Sequence, residues 1–234
     1  MSGRGDDEGF ATGASPPCSM QVDGPACIGL GKASDLRPRA DVMRWRKGER
    51  ERLIAARLAI PSELRRERSV RIAARLEDAL GAVAGLTVSA YWPLRGEPDL
   101  RPFLERVAAR GGRTALPVVI ARGQPLLFRA WARGAPLQRD VYNIPMPAQD
   151  AESVQPDVVI APVVGFDPAC YRLGYGGGFF DRTLAALPKR PRVLGVGYSE
   201  AAIATLYPLP HDIPMDMVVT EERIVVPRSY VTRA

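Results

Sequence analysis

The feature that most limits what this chain can fold into is a rhythm. Beyond Leu86, apolar runs just long enough for one strand alternate with stretches of helical periodicity. Thr87–Trp92, Thr114–Ile120, Val158–Val164, Val193–Gly197 and Met217–Val219 read as strands, Leu126–Trp131 as an edge strand and Ile224–Val226 as a last one. Leu100–Arg110, with Asp99 as N-cap and Gly111-Gly112 at its end, and Phe179–Leu187 read as helices, with a short one near Ala201–Leu206. Parallel strands need crossovers, and helices supply them. The alternation therefore predicts an α/β fold: three-layer α/β/α, a mostly parallel sheet with helices on both faces.

Two helices precede this pattern. Arg44–Ala59 ends at Pro61, which pushes Ile60 out of helical geometry. Ser62–Leu80 follows, with Ile72, Leu76 and Leu80 at four-residue spacing and Gly81 as its stop. Residues 1–40 hold few large apolar side chains among many Gly, Pro, Ser and Asp, and read as a flexible N-terminal tail. Residues 41–234 read as a single domain. No solenoid-type repeat is seen.

The net charge of +6 is uneven. Residues 44–75 carry eleven basic against four acidic side chains. Such a region suits nucleic acid, a small polyanion or a solvated helix face. A membrane surface fits least, because no bulky apolar face accompanies the arginines. No apolar run approaches the ~20 residues that span a bilayer. The first residues, with Asp6, Asp7 and Glu8, lack a leader's apolar segment. A cytoplasmic protein is expected. Cys18, Cys27 and Cys170, with the single histidine His211, give no zinc spacing, and reduced thiols are expected.

The richest stretch runs from Ala161 to Arg182. A strand leads to Arg172, then to four glycines within five positions (Gly174, Gly176, Gly177, Gly178), then to a helix. Glycines allow backbone N–H groups to approach a phosphate closely, and the helix N-terminus adds its unpaired donors and positive dipole end. Arg172 can offer a bidentate guanidinium. Asp181, in the first helical turn, either serves the helix dipole or is a hard oxygen ligand for Mg²⁺. Beside a glycine loop the metal is preferred. The Rossmann fingerprint is excluded by Phe179 at its third glycine position, and a Walker A loop by the lack of Gly-Lys-Ser/Thr.

Pro162 to Arg182 resembles the hallmark of the 5-formyltetrahydrofolate cyclo-ligase (methenyltetrahydrofolate synthetase) family: Pro-x-x-x-Phe-Asp, then Arg-Leu-Gly-Tyr-Gly-Gly-Gly-aromatic-aromatic-Asp-Arg. Similar pieces follow the family order: Tyr91-Trp92-Pro93-Leu94-Arg95-Gly96-Glu97, Leu116-Pro117-Val118-Val119, Tyr142-Asn143-Ile144-Pro145-Met146-Pro147, His211-Asp212-Ile213-Pro214-Met215-Asp216 and Val218-Val219-Thr220-Glu221. The resemblance spans about Arg44 to Val226. It implies ATP- and Mg²⁺-dependent conversion of 5-formyltetrahydrofolate to 5,10-methenyltetrahydrofolate through an iminium phosphate, with release of ADP and phosphate and no enzyme nucleophile.

Position by position, the resemblance implies that Arg46, Arg50, Arg172, Gly174, Tyr175, Gly176, Gly177, Gly178 and Phe179 hold ATP, the co-substrate. Asp181 and Asp212 would hold Mg²⁺, with Asp216 a weaker candidate for the same region. Arg172 and Asp181 are the catalytic candidates. Trp92, Glu97, Tyr142 and Phe180 would line the folate pocket, Glu97 accepting from the pterin's amino-pyrimidine edge. His211 reads as an orienting or packing residue. The expected partners are reduced folate and ATP, with no nucleic acid and no membrane, and a monomer is expected. Phe179-Phe180, where the family usually has a Tyr in the pair, and Met146 motivate a second reading: a relative that binds ATP or folate without turnover. A nucleic-acid-binding protein built on residues 44–75 is the third, and it leaves the glycine loop unexplained.

Overall fold

The computed structural model describes residues 38–227, which belong to one compact unit. In chain order its elements are α1 (Arg39–Ala59), α2 (Ser62–Leu80), β1 (Thr87–Ser89), α3 (Arg101–Ala109), β2 (Arg113–Val118), β3 (Leu127–Ala130), β4 (Leu137–Arg139) and β5 (Pro145–Pro147). Then come β6 (Val158–Pro162), β7 (Gly165–Phe166), β8 (Arg172–Leu173), α4 (Phe179–Ala186), β9 (Arg192–Val196), a 3₁₀ turn at Ser199–Ala201, β10 (Met217–Val219) and β11 (Ile224–Val225). The tail expected over residues 1–40 lies outside the described residues, except that α1 already begins at Arg39. Cys18 and Cys27 lie outside them too.

Seven strands form one sheet in the order β11-β10-β9-β6-β1-β2-β3. The five inner strands are parallel, and β3 and β11 close the edges antiparallel. From β1 the chain crosses through α3 to β2 on one side, and later reaches β6 on the other. Winding therefore reverses between β1 and β6. In open α/β sheets, the crevice beyond the carboxyl ends of the strands at such a reversal is the preferred ligand position.

The strands' two-residue period builds both faces. Val88, Leu116, Val158, Ile160, Leu194, Val196 and Val219 pack with Ile72 and Leu76 of α2 and with Phe103, Leu104 and Val107 of α3. On the opposite face, Ala115, Phe128 and Val159 meet Phe180, while Val193 and Val218 meet Leu184, both from α4. Each fully buried Leu, Ile or Phe contributes about 1.5–3 kcal/mol. The expected three layers are present. α1 joins through Leu53, which packs on Val164, Leu173 and Leu206 and so covers the small β7–β8 ladder.

Three local readings change. The strand expected to reach Trp92 ends at Ser89: the Ala90 amide still bonds the Ala115 carbonyl, but Pro93 soon follows. The helix expected near Ala201–Leu206 is only the 3₁₀ turn at Ser199–Ala201. The Ile203 amide goes instead to the Phe166 carbonyl and the Leu206 amide to Asp167 Oδ2, removing donors a helix would need. Third, α3 starts at Arg101, and Asp99 Oδ1 accepts that residue's amide at 3.0 Å.

Candidate active site

α1 is the ruler of the site. Its inward stripe carries Val42, Arg46, Leu53 and Arg57, so two arginines occupy positions that apolar residues would normally take. Arg46 and Arg57 are eleven residues apart, about 16 Å along the axis, and Arg50 lies one turn from Arg46. These three guanidiniums touch three successive parts of one polar region.

At the first end, Arg46 is fixed by four hydrogen bonds. It donates to Asp212 Oδ2 (2.5 Å) and Oδ1 (3.3 Å), to the Leu206 carbonyl (3.0 Å) and to the Tyr207 carbonyl (3.1 Å). One of its five N–H groups is left over. Asp212 Oδ2 also accepts the Leu209 amide at 2.7 Å. Burial pushes the Asp212 carboxyl up, but the hydrogen bonds from Arg46 and Leu209 and the Arg46 charge outweigh it and hold it below the usual carboxylate value.

Arg50 holds the glycine loop, its Nε donating to the Gly174 carbonyl at 2.7 Å. Burial, then the neighbouring Arg46 charge, lowers its pKa. Gly176 has φ +97° and Gly178 φ +63°, the left-handed region where a side chain is strained. A Cβ on Gly176 would lie 3.5 Å from the Arg50 guanidinium. Gly178 is the N-cap of α4, and no side chain among the described residues caps that helix. Its first-turn amides are left for an outside acceptor.

Arg172 is almost wholly buried, pairs with Asp181 at 2.8 Å and stacks over the Phe180 ring at 4.9 Å. Burial lowers its pKa against the pull of Asp181 and Asp212. The other oxygen of Asp181 accepts the amide of Ile213 at 3.3 Å, which brings Asp181 beside the segment carrying Asp212. Both carboxylates expected to hold Mg²⁺ are therefore neighbours of one buried arginine. Among the described residues no group of three or more His, Cys, Asp or Glu could hold a metal. Nucleotide-bound Mg²⁺ needs only one or two carboxylates and completes its shell with phosphate oxygens and water. The donor set fits that requirement.

The far end lies at the β1/β6 reversal. Arg57 bridges the two strand-end loops, donating to the Arg95 carbonyl (3.0 Å) and the Val163 carbonyl (3.5 Å). It also donates to the Tyr175 hydroxyl at 2.5 Å, and that hydroxyl donates to Glu97 Oε1 at 2.7 Å. Glu97 Oε2 accepts the Leu94 amide at 2.8 Å. Arg57 Nη1 stands 3.9 Å from Glu97, an ion pair without a direct hydrogen bond. The Glu97 side chain is 2% exposed. Burial pushes its carboxyl up, and the pull of Tyr175, Arg57, Leu94 and Arg95 does not reverse this. The Tyr175 hydroxyl is raised as well, by burial and by the Glu97 charge.

The remaining candidates divide. Tyr142 meets the Phe179 ring edge-on at 6.0 Å at the start of α4. Phe180, expected beside them, instead packs against Ala115, Phe128 and Val159 with Arg172 over its ring, because adjacent helix positions point to different sides. Trp92 goes elsewhere. It packs on the α2/α3 face, edge-on to Trp131 at 6.2 Å and beneath Arg101 at 5.0 Å, beside a groove of about 420 Å³. Tyr175, expected at the phosphates, puts its hydroxyl on the Glu97 side. His211 is exposed, 3.8 Å from Asp212. Asp216, considered for the metal region, binds the Val193 amide at 2.7 Å and anchors the start of β9.

The match to known proteins runs through this region. The family model for 5-formyltetrahydrofolate cyclo-ligases matches residues 42–221, from the start of α1 to the residue after Thr220. This chain belongs to the 5-formyltetrahydrofolate cyclo-ligase family. It is an enzyme. It is 32% identical over 176 residues to the 5-formyltetrahydrofolate cyclo-ligase of Escherichia coli (strain K12), covering 72% of this chain and 96% of that one. It is also 32% identical over 152 residues to that of Mycolicibacterium smegmatis, covering 62% and 78%. Among solved structures it is similar to the NMR structure of Aquifex aeolicus 5,10-methenyltetrahydrofolate synthetase, with a TM-score of 0.68 at 28% identity over 78% of this chain and 93% of that one.

Within this cyclo-ligase fold, Arg57 is a site residue that no sequence motif singles out. The available signal was its place on the apolar stripe of α1, in register with Val42, Arg46 and Leu53. Much of the basic region's charge is also taken up within the structure, although several of its side chains stay exposed. Arg46 and Arg57 turn inward, Arg52, Arg66 and Arg71 pair with Glu49, Glu63 and Glu67, and Arg68 pairs with Glu200. That weakens the charge argument for the nucleic-acid reading. No described helix is long and apolar enough to cross a membrane.

Proposed function

We propose that this cyclo-ligase converts 5-formyltetrahydrofolate to 5,10-methenyltetrahydrofolate, consuming ATP with Mg²⁺. The observation that carries the reading is the meeting of Arg50, the glycine loop, the Arg172–Asp181 pair and Asp212 along one face of α1, beside the Tyr142–Phe179 ring pair. The formyl oxygen on N5 attacks the γ-phosphorus of ATP, the bond to the β-phosphate oxygen breaks, and ADP leaves. N10 then adds to the formyl carbon of the iminium phosphate, the carbon–oxygen bond to phosphate breaks, and N10 loses its proton. Phosphate carries away the formyl oxygen.

None of these steps needs a protein nucleophile. The chain's task is to position two substrates and stabilise charge on the transferring group. Arg50 and Arg172 supply guanidinium donors, and the uncapped amides of α4 supply backbone ones. Arg46, with four of its five N–H groups already engaged, serves chiefly to fix Asp212. Asp181 and Asp212 would hold Mg²⁺, which neutralises phosphate charge when bound. Tyr142 and Phe179 offer ring surface to the folate, Phe180 backs Arg172, and Glu97 offers acceptors to the pterin edge.

The test is direct. Purified protein with 5-formyltetrahydrofolate, ATP and Mg²⁺ should give the methenyltetrahydrofolate absorbance, and leaving out ATP or adding a chelator should abolish it. Tight binding of both ligands with no product under any condition would replace this reading with that of a non-catalytic relative.

A further inference from the structure

The reading above gives Glu97 to the pterin, yet its side chain is 2% exposed and both of its oxygens are engaged. One of those engagements belongs to the glycine loop. Tyr175 sits between Gly174, whose carbonyl is held by Arg50, and Gly176, the loop residue at φ +97°. Its ring is partly exposed and is flanked by the Arg57 and Arg95 guanidiniums at 5.8 and 5.7 Å. Its hydroxyl is the group on Glu97 Oε1. A phenol O–H donor on a carboxylate oxygen is a stand-in for the N–H donors of an amino-pyrimidine edge.

Resting on that functional reading, we infer that Tyr175 holds the position on Glu97 that the pterin takes, and that substrate takes over this hydrogen bond and releases the tyrosine with its glycine loop toward the nucleotide. Glu97 keeps the Leu94 amide and the Arg57 charge throughout, so its acceptor face stays in place while its outer partner changes. Arg57 acts as a positioning residue, touching the two strand-end loops and the Tyr175 hydroxyl at once. Folate binding and nucleotide binding become coupled because one side chain belongs to both sites. By linkage each ligand raises the affinity of the other by the same factor, typically about 5–150-fold.

Tyr175→Phe isolates the hydroxyl while keeping the ring. Calorimetry would measure 5-formyltetrahydrofolate and a non-hydrolysable ATP analogue with Mg²⁺, each alone and each in the presence of the other. The unsubstituted protein should show at least a fivefold mutual gain. Tyr175→Phe should bind folate alone about fivefold more tightly, the competing hydrogen bond of about 1 kcal/mol being gone, and its mutual gain should fall to near one. Arg57→Lys, which keeps the charge but not the fork, should reduce the mutual gain while retaining both ligands. Unchanged coupling in Tyr175→Phe, or folate bound more weakly by it, overturns the inference and leaves the proposed activity standing. Glu97→Gln separates the two failures. If folate affinity is unchanged in that variant, Glu97 is not the pterin acceptor, and both the assignment and the exchange built on it fall.

Discussion

Asp212 and Glu97 are both nearly enclosed carboxylates facing buried arginines on the same helix, yet their acidities shift in opposite directions. Asp212 receives two direct hydrogen bonds from Arg46, while Glu97 has its arginine at 3.9 Å with a tyrosine hydroxyl interposed. Direct contact favours the charged form, whereas burial with indirect pairing does not. The side chains of Asp181 and Asp212 are also 17% and 12% exposed against 2% for Glu97. On the proposed reading, the Asp181–Asp212 end holds charges that a phosphate or cation can reach, and the Glu97 end holds a sealed acceptor that the substrate would have to uncover.

The largest effect should come from breaking the open end. Asp181→Asn keeps the shape but removes the charge beside Arg172, and should lower kcat/KM for ATP by about 10²–10³-fold. Folate affinity measured without nucleotide should change by no more than about threefold, because Asp181 is assigned no contact with the folate. Equal losses for both ligands would show that Asp181 serves the folate as much as the nucleotide. Gly176→Val comes next. It places a branched side chain at φ +97°, next to Arg50 and in the proposed phosphate path. The KM for ATP should rise about 30-fold, the equivalent of about 2 kcal/mol, and an unchanged KM would remove the loop from the nucleotide site.

The opposite acidities give a third comparison, read as stability against pH. Asp212 has a folded pKa below its ordinary 3.8. Its contribution is present above 3.8 and is lost as pH falls through the folded value. Glu97 has a folded pKa above its ordinary 4.5. Its contribution is complete below 4.5 and is lost as pH rises through the folded value. Urea midpoints of the unsubstituted protein relative to Asp212→Asn should therefore improve with rising pH. Those relative to Glu97→Gln should decline with rising pH above 4.5. Slopes of the same sign would undo the contrast.

Much of this was legible before any coordinates. The strand-helix rhythm set the layers because burial on two faces forces it. The loop stood out through the whole order of strand, Arg172, glycines, aromatic pair and Asp181, since glycines alone would also suit a tight turn. What escaped detection depends on contacts far apart in sequence. Tyr175 reads as part of a phosphate loop, and only folding brings its hydroxyl to Glu97, 78 positions earlier. Arg57 reads as one more charge in a basic run. Trp92 lies five residues from Glu97, yet its ring packs on the α2/α3 face, because β1 ends at Ser89 and the chain turns before reaching it. The β4–β5 and β7–β8 ladders contain too few residues to show a period.

Asp216 gives the smallest expected effect and a control on the whole comparison. By sequence it stands four residues after Asp212 and belongs to the same motif. In the fold, Oδ2 accepts the Val193 amide, Oδ1 accepts from Arg190 at 3.3 Å, and the Asp216 amide bonds the Val193 carbonyl. These bonds tie the entry of β10 to the entry of β9, at the amino ends of strands whose carboxyl ends lead toward the reversal. Asp216→Asn retains an acceptor there and should cost about 1 kcal/mol, which for a chain of this size lowers Tm by about 2–4 °C. Steady-state KM values for ATP and folate should move less than about twofold, in keeping with a substitution far from both ligands. A Mg²⁺ requirement that rises tenfold in this variant would place Asp216 with the metal carboxylates after all. The open end would then extend along the β10 entry, and the division between it and the sealed acceptor would no longer follow the length of α1.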